Sequence, residues 1–92
     1  MFHYISIMED SKTHKLVLYN DDKISFPYVM ACLMRLCNFE PIQAEQCALI
    51  AHDKGECAIK HGTYDDMFDL MYNFEALEIK VKIKEYESNL YR

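Results

Sequence analysis

Four residues have the types and spacing to do chemistry together. Three are consecutive, Asn20, Asp21 and Asp22, and the fourth, His52, lies farther along the chain. Two adjacent carboxylates repel each other and favour a cation beside them, whether a metal ion, a lysine or a ligand amine. The same residue types are good turn formers and helix N-caps, so a plain turn is the competing local reading. Three in succession exceed what one turn requires. His52 shares one side of a helical pattern with Ala48 and Ala51. Small residues beside a polar group leave the kind of recess that a ligand occupies, although they equally suit close packing of helix on helix. A histidine near a helix C-terminus also complements the helix dipole.

Other chemistries find less support. Asp21, Asp22 and His52 show none of the familiar zinc spacings, and His3, His14 and His61 are scattered, so neither a metal nor another cofactor is expected. There is no nucleophile elbow, no cysteine–histidine signature and, with only two glycines, no phosphate loop. The expectation is a protein that is not an enzyme.

Composition narrows the class further. Ninety-two residues with a 51% hydrophobic share suit one globular domain. A net charge of −5 offers no basic patch from which a nucleic acid could release counterions. The four cysteines, Cys32, Cys37, Cys47 and Cys57, form no CxxC pair, and at least three fall at apolar positions. They read as buried thiols of a reducing cytosol. No apolar run approaches transmembrane length, and the N-terminus lacks the features of a signal peptide, so a cytoplasmic monomer without membrane contact is expected.

The elements that must position the four residues follow from the apolar periodicity. Lys15 to Tyr19 has strand chemistry and ends abruptly at the polar triplet. Ser25 is a candidate N-cap with Pro27 in the first turn, and Phe26, Val29, Met30, Leu33 and Leu36 carry a helix to about Cys37. Asn38-Phe39-Glu40 breaks it, Pro41 opens a second helix, and Gly55 closes that one. Glu56–Lys60 is a short strand, with Cys57 and Ile59 on one face, and Gly62 ends that segment. Thr63 and Asp66 resemble a capping box for a third helix with Met67, Leu70, Met71 and Phe74 on one face. Leu77 to Lys84 alternates strictly and predicts a strand with one buried face and one lysine-rich face. Phe2–Ile7 alternates weakly, as an edge strand or a loose tail, and Tyr86 to Arg92 reads as a frayed tail. The order is β-α-α-β-α-β. It predicts an α+β sandwich in which a three-stranded antiparallel sheet packs against three helices, with an N-terminal extension over 1–13, a core over 14–86 and a tail over 87–92.

Leu16-Val17-Leu18-Tyr19-Asn20-Asp21-Asp22, a proline five residues on, and then Ala48-Leu49-Ile50-Ala51-His52-x-x-Gly55 together resemble the ClpS family. These are small adaptors that deliver N-end-rule substrates to a Clp AAA+ unfoldase and its peptidase. Their fold is a sandwich also seen in the C-terminal domain of the ribosomal stalk protein. The likeness runs without gaps from about Lys15 to Gly55 and more loosely to the last strand. It implies that Asn20, Asp21 and His52 contact the α-amino group of a substrate's first residue, and that Asp22 supports the loop. It further implies a hydrophobic pocket from Ile24, Phe26, Val29, Ala48 and Ala51, completed by Leu77 or Ile79, and an unfoldase contact around Asp65. Phe26 and Ala48 stand where family members usually carry methionine, and the proline sits one place later, at Pro27. The segment before the first strand is short where the family has a longer flexible arm, so substrate binding with altered delivery is expected.

The leading expectation is thus an adaptor that binds N-degrons with a free amine and a bulky apolar first side chain, and delivers them to a Clp unfoldase of ClpA or ClpC type. The alternative within the same fold is an interaction module that regulates a Clp unfoldase or another partner without reading N-termini. Convergence of Asn20, Asp21 and His52 on one cavity distinguishes the two.

Overall fold

Leu16, Val17 and Leu18 are almost wholly excluded from solvent, and a strand buried on both faces belongs at the centre of its sheet. The computed structural model, which describes residues 13–85, places it there. Strand β1 (His14–Tyr19) lies between β2 (Glu56–Gly62) and β3 (Val81–Glu85), antiparallel to both. Leu18 sits opposite Cys57 on one side and Val81 on the other, and Leu16 sits opposite Ile83. The register with β2 shifts between Leu16 and Val17, where Ile59 is passed over, and this bulge leaves Ile59 buried. The expectations for Phe2–Ile7 and for the C-terminal tail lie outside the described residues.

Three helices supply the second layer: α1 (Phe26–Leu36), α2 (Pro41–Lys54) and α3 (Tyr64–Ala76). Each begins where a local signal ends the preceding segment. Ser25 Oγ accepts the Tyr28 N–H at 3.3 Å, with Pro27 in the first turn where its missing donor is harmless. Thr63 Oγ1 accepts the Asp66 N–H at 3.1 Å, and Asp65 and Asp66 place negative charge at the positive end of α3. Gly55 ends α2 with φ of 95°, a left-handed conformation that an L side chain resists. The core between the layers unites Leu16 and Leu18 with Leu33, Ala44, Ala51, Ile59, Met67, Phe74, Ile79 and Val81. The order β-α-α-β-α-β and the three-stranded antiparallel sheet are those expected from the sequence.

Two boundaries differ by more than one residue. Strand β2 runs to Gly62 rather than Lys60. Strand β3 starts at Val81 rather than Leu77, although the alternation begins four residues earlier. The reason is the cap of α3. The Glu78 N–H donates to Glu75 O at 2.9 Å, and the Ile79 N–H donates to Phe74 O at 3.0 Å. Glu78 itself is left-handed, with φ of 65°. This is a Schellman motif, completed by the buried pair Phe74 and Ile79. Leu77 and Glu78 therefore belong to a helix terminus and cannot pair as a strand.

Candidate functional site

The end of β1 is held from both sides. Tyr19 N–H donates to Lys80 O and Asn20 N–H donates to Gly55 O, each at 3.0 Å. The left-handed turn at Gly55 is what lets its carbonyl face the strand end rather than continue the helix. The chain thus leaves the sheet at a set point, and the polar triplet begins there.

The triplet then winds on itself. The Asp21 carbonyl accepts the Ile24 N–H at 3.1 Å, and Asp21 Oδ1 accepts the Lys23 N–H at 3.0 Å, an Asx turn. Asn20 Nδ2 donates to Asp22 Oδ1 at 3.4 Å, which leaves the Asn20 side-chain oxygen as an acceptor. Both aspartates therefore brace the loop, Asp21 with one of its two carboxylate oxygens. On the last turn of α2, His52 is largely exposed, and its Nδ1 lies 3.4 Å from Asp53 Oδ1.

Between the triplet and α2 opens a cavity of about 240 Å³. Asn20, Asp21, Asp22 and His52 all border it. Its apolar wall comes from Ile24, Phe26, Val29, Ala48, Ala51 and Ile79. Ala48 and Ala51 are buried alanines on the helix side, and their short side chains leave the space that longer ones would fill. Phe26 stands at the first position of α1 and lines the cavity. Leu77 does not border it. The α3 cap turns Leu77 aside, and its carbonyl accepts the Tyr28 hydroxyl at 2.9 Å, while Ile79, two residues on, faces the cavity. Asp65 lies elsewhere, exposed on the first turn of α3.

Leu18, Tyr19 and Lys80 also border the cavity and were not singled out from the sequence. Their signal was adjacency, since Leu18 and Tyr19 precede the triplet and Lys80 follows Ile79. Among the described residues no group of three or more His, Cys, Asp or Glu side chains is placed to hold a metal ion. No described helix is long and apolar enough to cross a membrane.

A small α+β sandwich whose apolar cavity is rimmed by an amide, two carboxylates and an imidazole is built as a binding module. The family model for ClpS, the ATP-dependent Clp protease adaptor protein, matches residues 9–83. The chain belongs to the ClpS family and is a Clp protease adaptor. Among solved structures, ClpS2 of Agrobacterium tumefaciens bound to L-phenylalaninamide is similar with a TM-score of 0.72 and 15% sequence identity. The alignment covers 83% of this chain and 99% of that one, and at this identity it speaks to the fold. No curated protein matches the chain.

Proposed function

We propose that the cavity binds the first residue of protein substrates that carry a free α-amino group and a bulky apolar side chain, and that the adaptor delivers them to a Clp AAA+ unfoldase. The observation that carries this reading is that Asn20, Asp21 and His52 border one apolar cavity of about 240 Å³. That volume suits a single side chain rather than a drug-sized ligand, for which cavities of roughly 300–1,000 Å³ are usual. ClpS2 of Agrobacterium tumefaciens was solved with L-phenylalaninamide, a free amine on an aromatic residue, and this is the ligand chemistry that the cavity suits. An interaction module that ignores N-termini has no need of such a convergence.

In this reading a protonated amine exchanges its water for three acceptors. These are the Asn20 side-chain oxygen, the Asp21 carboxylate and the His52 ring nitrogen. With Nδ1 turned to Asp53, neutral His52 accepts through Nε2. Each charge-assisted hydrogen bond contributes about 1.5–3 kcal/mol. Asp22 braces the loop. The first side chain enters between Ile24, Phe26, Val29, Ala48, Ala51 and Ile79 and adds roughly 1.5–3 kcal/mol by leaving water. Acetylation removes both the charge and the donors. The exposed start of α3, around Asp65, is the proposed contact with the unfoldase. The adaptor works as a monomer in the cytoplasm and catalyses nothing itself.

Fluorescence anisotropy with labelled peptides tests the reading. Peptides that begin with Phe, Tyr, Leu or Trp are expected to bind at micromolar affinity or better, and their N-acetylated forms are not expected to bind. Equal affinity for the free and acetylated peptides would overturn it.

A further inference from the structure

The binding reading uses none of the four cysteines, yet two of them meet. Cys47, in the middle of α2, and Cys57, near the start of β2, hold their sulfur atoms 3.0 Å apart. They face each other across the corner that Gly55 turns. A disulfide S–S bond of roughly 2.04 Å is about 1 Å shorter than this separation, so a small shift would close it. We propose that Cys47 and Cys57 are a redox-modification site, a dithiol that closes reversibly into a disulfide by exchange with a low-molecular-weight disulfide.

The environments of the two thiols assign the order of events. Cys57 is partly exposed, whereas Cys47 is buried. The Cys57 thiolate attacks one sulfur of the small disulfide, whose S–S bond breaks and whose other half leaves as a thiolate. Cys47 then gives up its proton and attacks the Cys57 sulfur of the mixed disulfide, which expels the second small thiolate. Two protein thiols are oxidised by two electrons, the small disulfide is reduced to two thiols, and the two protein protons end on the thiols released. Burial holds Cys47 protonated, and so do a hydrogen bond and like-charge repulsion from Cys57. The like-charge repulsion from Cys57 vanishes once its sulfur enters the mixed disulfide, so the first step eases the second.

The other two thiols differ. Cys32 and Cys37 are buried as Cys47 is, but among the described residues only the Cys47 and Cys57 sulfurs meet; burial also pushes Cys37 up to about 11, which suppresses its thiolate. The new bond would close a loop that contains Ala48, Ala51, His52 and Gly55, the whole α2 side of the cavity together with the carbonyl that holds Asn20. The modification thus fastens α2 to β2 at the corner that shapes the cavity.

Incubation of the folded chain with oxidised glutathione, followed by alkylation, proteolysis and mass spectrometry, tests the proposal without reference to peptide binding. The expected product joins the Cys47 and Cys57 peptides, leaves Cys32 and Cys37 alkylated, and returns to four alkylated cysteines after dithiothreitol. A lasting glutathione adduct on Cys57 with Cys47 alkylated would overturn it. So would four alkylated cysteines after oxidation, or a bond from Cys47 or Cys57 to Cys32 or Cys37.

Discussion

Asp21 serves two purposes at once, and they can be separated. One carboxylate oxygen accepts the Lys23 N–H and shapes the loop, and the side chain also borders the cavity. Asn keeps an oxygen for the turn but loses the charge. Asp21→Asn is therefore expected to weaken binding of a Phe-initiated peptide by about ten- to a hundredfold, the loss of one charge-assisted hydrogen bond. Its urea midpoint should stay near that of the unsubstituted chain, so anisotropy and denaturation read the two purposes apart. Ala48 is buried and lines the same cavity. Ala48→Met fills part of that space and should weaken peptides that begin with Trp more than those that begin with Leu, because overpacking penalises the larger side chain first. Competition anisotropy with the two peptides measures this ratio.

At the scale of elements, the junction between α3 and β3 carries a local strain. Glu78 is exposed and left-handed, and it puts a negative charge at the negative end of a helix. Glycine adopts that conformation freely and removes the charge. Glu78→Gly is expected to stabilise the fold by about 1 kcal/mol, read as a rise in the urea midpoint at unchanged slope. The junction also shapes the cavity, because the same cap turns Leu77 away from it and Ile79 toward it.

For the whole molecule, stability rests on one core that joins the sheet to all three helices. Phe74 is wholly buried between α3 and the strands, and its carbonyl takes two hydrogen bonds from the turn that follows. Phe74→Ala is expected to destabilise the fold by about 3–5 kcal/mol. A native chain of this size is stable by only about 5–15 kcal/mol, so thermal unfolding should show a strongly lowered midpoint. The buried cysteines contribute as small apolar residues, with Cys32, Cys37 and Cys47 all in the same cluster.

The sequence alone determined the order of the elements and most of their ends. Ser25, Pro41, Gly55 and Thr63 act within one helical turn of themselves, and such short-range signals are readable without knowledge of the fold. Where local signals conflicted, the alternation from Leu77 misled, because the pairing of Ile79 with Phe74 drew Leu77 and Glu78 into the helix cap. The candidate site residues were legible through the likeness of two motifs to one family, while local chemistry left the triplet open between a turn, a metal site and an amine site. Tertiary structure alone decided that the triplet and His52 border one cavity, through the bond from Asn20 to the Gly55 carbonyl. It also decided that Ile79 rather than Leu77 lines the cavity, and that Cys47 meets Cys57. The reason is common to all three: each depends on how α2 and β3 seat against β1, a choice that packing across the core makes and that no short stretch of chain encodes.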